Sequence, residues 1–238
     1  MRARPSIVLA LALVAVPLTA APVVAADAVT VTFAQGTLTV RTTAKSEEIQ
    51  VQPAGESVRI TIDRKRADIP PQADTKVGSV RLVAGKGKDT FVIDPSRGDL
   101  PPVVALGQAG KDTYVVNADM RGLVRIIDDL KTSAATLDLS RSDVPLKVDL
   151  GKTGSSQKVT PDLRLQVRAR IRLLVAGSGD DRLTGRDLNE TFTGGFGADT
   201  FVVKGDRLGR DRITDFEEDV DTLDLGAGLS ARTGLGTS

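Results

Sequence analysis

The sequence predicts an all-β protein, and three observations carry the prediction. Glycine, acid and apolar residues recur in phase every nine residues over 176–202, apolar and polar residues alternate with period two over 36–63 and 163–173, and apolar spacing of the helical kind is almost absent. Aromatic residues are only 3% of the 238, while valine and leucine are abundant, so the core has to be filled by aliphatic ladders on short strands rather than by large rings.

Residues 1–26 read as a secretory signal peptide. Arg2 and Arg4 are followed by ten apolar residues (7–16), Pro17 and Pro22, and small residues suited to cleavage after Ala26. An apolar run of ten is short of the roughly 20 residues a membrane helix needs. The expected product begins at Asp27, is exported to the extracellular side and has no membrane association after cleavage. The full chain holds 32 basic and 31 acidic residues, and loss of Arg2 and Arg4 leaves a net charge of −1. That balance points to no nucleic-acid partner. The absence of cysteine excludes disulfide staples, and the absence of histidine removes the commonest general base and zinc ligand.

Residues 27–80 form a strand-rich portion. "GTLTVRTTAKSEEIQVQ" (36–52) and "SVRITID" (57–63) alternate apolar and polar residues around turn residues, which predicts strands and a hairpin, and Glu47 before Ile49 is a worn copy of an acid-x-apolar element. Prolines mark 66–78 and 94–102 as loops. In 81–140, "LVAGKGKDTFVI" (82–93) and "ALGQAGKDTYVV" (105–116) repeat a glycine–aspartate–strand order with Asp89 and Asp112 at equivalent points. "RLQVRARIRLLV" (164–175) alternates through Leu163, Leu165, Val167, Ala169, Ile171 and Leu173, so it is a strand with arginines on its wet face rather than a basic helix.

Within 141–238 the nine-residue phase is unbroken in "AGSGDDRLT" (176–184), "GRDLNETFT" (185–193) and "GGFGADTFV" (194–202). Each piece has an acid at its sixth place, Asp181, Glu190 or Asp199, and an apolar residue at its eighth, Leu183, Phe192 or Phe201. A longer internal match lays 110–129 over 197–216, pairing Asp112 with Asp199 and Asp128 with Asp215, which reads as a duplication of an array and its closing segment.

The pattern G-G-x-G-x-D-x-(apolar)-x resembles the hemolysin-type (RTX) calcium-binding nonapeptide repeats, strongly over 176–225 and weakly elsewhere. The resemblance implies a right-handed parallel β-roll or β-helix solenoid following the N-terminal strand-rich portion. Six residues of each unit would turn and three would form a strand, with two units to a coil, so that 176–181 stacks on 194–199 and 185–190 faces the other side. It also implies Ca²⁺ between stacked turns: Gly177, Gly179, Gly195 and Gly197 shape the cage and Asp181 and Asp199 close it. Calcium takes six to eight oxygens at about 2.3–2.6 Å, which two carboxylates and turned-in carbonyls can meet. A weaker site would pair Glu190 with Asp211 of the displaced turn 206–211. A third would use Asp89 and Asp112, where Lys86, Lys88 and Lys111 are placed to neutralise the acids without an ion.

Two other readings stay open. Gly-x-Asp turns also occur without metal, the aspartate hydrogen-bonding its own turn, which would make the chain a structural or adhesive surface module with few or no ions and a cell-surface or polysaccharide partner that the sequence leaves unnamed. A polysaccharide-acting β-helix enzyme using carboxylate pairs is the third reading. There is no H-E-x-x-H, no G-x-S-x-G, and only one tyrosine and six phenylalanines for sugar stacking, so the expectation is a protein that is not an enzyme.

Overall fold

The computed structural model describes residues 29–43, 46–55, 57–67, 76–96, 98–131, 134–186, 188–203 and 210–225. The proposed leader, most of the 66–78 loop and residues 206–209 lie outside them. The described chain is all-β, and most strand pairs are parallel.

One sheet holds, in spatial order, β1 (Thr30–Ala34), β2 (Thr37–Arg41), β6 (Ser79–Val83), β9 (Val103–Gly110), β11 (Gly122–Asp128), β15 (Leu163–Arg168) and β14 (Ser156–Lys158), with β7 (Lys86–Gly87) beside the end of β9. A second holds β5 (Lys65–Arg66), β4 (Ser57–Ile62), β3 (Glu48–Ala54), β8 (Thr90–Ile93), β10 (Thr113–Val116), β12 (Ala135–Asp138), β16 (Ile171–Val175), β18 (Thr191–Thr193) and β20 (Arg212–Ile213). A third is made of β13 (Lys147–Asp149), β17 (Arg182–Thr184), β19 (Thr200–Val203) and β21 (Thr222–Leu225). Along the chain, strands alternate between the first and second sheets from β8 to β12, β13 opens the third sheet, and from β16 to β21 the strands alternate between the second and third sheets. The regions 27–80, 81–140 and 141–238 therefore share sheets: β2 pairs with β6, β3 with β8 and β12 with β16.

Antiparallel pairing is confined to sheet ends. β1 and β2 form one hairpin, β3 and β4 the other, the latter between the two runs that alternate in the sequence. Alternation sends one residue in two inward, and parallel register lines these up as continuous rows: Leu38, Val80, Val103, Val124 and Leu165 in the first sheet, and Ile49, Phe91, Tyr114, Leu137, Leu174 and Phe192 in the second. All are buried, and Phe91 and Tyr114 stack with ring centroids 5.1 Å apart. Each such side chain contributes about 1.5–3 kcal/mol by leaving water.

The stretch 163–175 departs from a single alternating strand. It is two strands in two sheets, cornered at 169–170, and Ala135–Thr136 meet Ile171–Leu173 with a register shift. The extra residue turns Leu173 outward and puts Leu174 into the core row, because a one-residue slip exchanges the faces of everything after it.

Candidate metal centre

The turn 194–199 stacks on 176–181, 18 residues away. The contact is glycine on glycine. Gly195 and Gly197 have φ of +98° and +119°, and a Cβ on either would run into the carbonyl of Gly177 or Gly179. Position six of each unit is then tied twice to the next turn. The Asp181 N–H donates to Asp199 Oδ1 at 2.9 Å, and the Asp181 carbonyl accepts the Thr200 N–H at 2.7 Å. The ladder continues on both sides, with Leu146 N–H on Asp181 Oδ1 at 2.7 Å and Asp199 N–H on Asp221 Oδ1 at 2.9 Å. The Gly177 N–H reaches Asp181 Oδ2 at 3.2 Å, and the Gly177 carbonyl accepts the Phe196 N–H at 3.1 Å. Asp181 and Asp199 are both buried. The aspartates thus meet as stacked acceptors of backbone N–H groups, each one turn from the next.

The turns of the first half repeat this geometry. Glu47 N–H donates to Asp89 Oδ1 at 3.0 Å, and Asp89 N–H donates to Asp112 Oδ1 at 2.9 Å, so Glu47 stands at the foot of the ladder as its acid-x-apolar pattern suggested. Gly107 and Gly194 match in detail: a Cβ on either would collide with the carboxylate of its own turn, Asp112 or Asp199, and with the tip of the ring that follows, Tyr114 or Phe201. One difference separates the copies. Among the described residues Asp89 Oδ2 is buried with no hydrogen-bond partner, and the buried Asp112 carboxyl, its Oδ2 without an N–H donor, lies against the carboxyl of Asp128. The expected neutralisation by lysine is corrected here: Lys86, Lys88 and Lys111 are exposed, and among the described residues none forms an ion pair with either aspartate. Lys86 is on β7 and Lys88 and Lys111 lie between strands, where a long side chain keeps its ammonium hydrated by staying in water.

A tethered cation is found instead at 185–190. Arg186 Nε lies 3.1 Å from Glu190 Oε1, with the Glu190 side chain 0% and the Arg186 side chain 15% exposed. The remaining donors of that arginine reach Thr153 Oγ1 at 3.1 Å and the Ala169 carbonyl at 3.3 Å. Asp211 does stand where a stacking partner of Glu190 was expected, its Oδ1 accepting the Glu190 N–H at 2.8 Å.

Burial sets the electrostatics. It pushes the carboxyls of Asp112 and Glu190 up to about 7 and those of Asp181 and Asp128 up to about 6, and it raises Asp89, Asp199 and Asp211 as well. Backbone N–H donors oppose the shift, while neighbouring carboxylates add to it: Asp128 and Asp89 on Asp112, and Asp221, Asp215 and Asp180 on Asp199. A carboxyl raised in the folded state binds its proton more tightly there than in the unfolded chain. Its stabilising contribution is complete below the unfolded value, about 4, and is lost as pH rises through the folded one. Calcium-free protein is therefore expected to melt at a higher temperature at pH 5 than at pH 8. Melting curves in EGTA check this, and a midpoint that is flat or rises over that interval contradicts it.

Several participants were not singled out in the sequence. Asp215 accepts the N–H groups of Gly194 and Gly195 at 3.0 and 2.8 Å, Asp180 accepts the Ala198 N–H at 2.9 Å, and Asp221 caps the Asp199 rung. The pairing of Asp128 with Asp215 in the internal match was the available signal. Among the described residues no three acidic side chains converge as a ready metal site, so an ion at these turns would draw on two carboxylates and on backbone carbonyls. Comparison with known proteins finds no matching family, no similar curated protein and no similar solved structure.

Proposed function

We propose that this chain is a secreted calcium-binding protein whose alternating strands wind as a right-handed parallel β-roll, with Ca²⁺ ordering the stacked turns. The observation that supports this is a stack of buried aspartates, coil upon coil, in which other carboxylates press on Asp89, Asp112, Asp181 and Asp199. A bound dication would offset that excess negative charge. The Oδ2 atoms of Asp89 and Asp112, neither with an N–H donor, fit a hard cation best, and Asp181 with Asp199 would hold a second ion through lone pairs left beside their N–H donors. Arg186 already serves Glu190, so the reading leaves the turn 185–190 without an ion.

A second reading has its own support. Every rung is already satisfied by an acid-to-amide hydrogen bond, which a structural or adhesive scaffold would need without any metal. Calorimetric calcium titration of the exported chain separates the two. Binding of one or two ions is expected, with about 1.4 kcal/mol of stabilisation per site at a tenfold excess over Kd. Millimolar calcium should then slow proteolysis within 81–225. Asp112→Asn and Asp199→Asn keep the acceptor and lose the charge, so in EGTA each should stay within about 1 kcal/mol of the parent, while calcium protection at its own turn disappears. A stoichiometry of zero leaves the scaffold reading.

A further inference from the structure

We infer that the outer face of the first sheet is a docking surface for a linear anionic polysaccharide. Register places Arg81 and Arg125 in one row across the strands, flanking Val104 of the intervening β9, with Thr39 and Gln166 beyond them. Arg41 and Arg168 end a parallel row, and Arg164 and Lys158 stand in a third. These six exposed cations are the only charged residues pointing outward from the paired strands β1, β2, β6, β9, β11, β15 and β14 among the described residues. The chain as a whole carries 32 basic and 31 acidic residues, so the face is segregated rather than a sample of the composition. On these strands the acid is Asp128, which is buried at the end of β11.

Three further observations select the partner. Lys158 and Arg164 are directly opposite on antiparallel strands, a like-charge pair that is unfavourable unless an anion lies across it. Among the described residues none of the six cations is held in an ion pair. The face is also without aromatic side chains; Phe33, the one ring on these strands, packs against the core. Single-stranded nucleic acid would call for stacking rings, which are missing. A membrane would call for exposed large apolar side chains, and those among the described residues (Leu130, Phe196, Phe216, Val220 and Leu223) are elsewhere. What remains is a pair of guanidinium groups, Arg81 and Arg125, roughly 10 Å apart at two strand spacings and separated by half-exposed aliphatic side chains, with Arg41, Arg168, Arg164 and Lys158 in the neighbouring rows. That suits a polymer bearing carboxylate or sulfate groups spaced along an otherwise hydroxylated, partly apolar backbone. The surface does not involve the acid ladders, so it stands or falls independently of calcium.

The test uses the full exported chain and chondroitin sulfate, a soluble linear polyanion, at about 50 mM salt, where surface charges are weakly screened. Saturable binding is expected, equal in EGTA and in calcium, and several-fold weaker at about 300 mM salt. Arg81→Glu with Arg125→Glu should weaken it at least tenfold. Arg59→Glu with Arg66→Glu, on the second sheet, should change it less than twofold. If the first pair disturbs the circular dichroism spectrum, Arg164→Gln with Arg168→Gln takes its place with the same expectation. Failure to bind at low salt, undiminished binding by a folded variant of this face, or tighter binding of oligothymidylate or anionic vesicles than of the glycan would overturn the proposal.

Discussion

Arg186→Ala is expected to lower stability by about 3–5 kcal/mol, the usual effect of removing one partner from a buried ion pair. The Glu190 side chain is fully enclosed, and both its oxygens look to Arg186, Oε1 to the guanidinium at 3.1 Å and Oε2 to the backbone N–H at 3.3 Å. Without the guanidinium the carboxyl has to take up a proton or stay charged and desolvated. The same side chain also ties the turn to Thr153 and to the corner at Ala169, so three segments loosen together. Arg186→Lys should lose less, because the charge remains while the fork that serves three acceptors does not. Urea unfolding at pH 7 measures both. A loss below about 1 kcal/mol for the alanine variant would place Arg186 among ordinary surface pairs.

Gly195→Ala should be nearly as damaging, by about 3 kcal/mol or more, since a left-handed backbone conformation costs roughly 1–2 kcal/mol for a residue with a Cβ and overpacking adds a further 1–3. The atom that a Cβ would strike is the Gly177 carbonyl oxygen, which is pinned by the Phe196 N–H and cannot withdraw without opening the stack. Gly154→Ala is the control. Its φ is +75° but nothing lies within 4 Å of the added atom, so only the conformational part should appear. Equal urea midpoints for the two variants would mean that the close approach of the turns contributes nothing.

Much of the fold is legible in the sequence because its signals are local. Period-two alternation states which side chains face inward on a strand, whatever the strand pairs with. Thr200, Phe201 and Val202 repeat the order of Thr90, Phe91 and Val92, and each such run is a strand with its aromatic ring in the core. The nine-residue phase also paired Asp199 with Asp181 and Glu190 with Asp211, because strands two units apart pair in parallel register, β17 with β19 and β18 with β20.

What the chain by itself determined is therefore the strand content, the inward rows and the stacking of acid-bearing turns. Tertiary structure alone decided which cation neutralises which acid, where the third sheet replaces the first, and that arginines scattered from 41 to 168 share one face. Lys86 and Lys88 neighbour Asp89 in sequence yet point to water, whereas Arg186 folds inward onto Glu190 because its stem finds cover beneath the corner at Ala169. Leu173 and Leu174 exchange roles at a register shift set by β12, more than thirty residues upstream. The reason is common to these cases. A side chain's direction relative to its own strand is fixed by backbone geometry within two or three residues, but its partner comes from a stacked turn, 18 residues away at Asp181 and 23 at Asp89. Unequal separations carry no sequence period from which that partner can be counted.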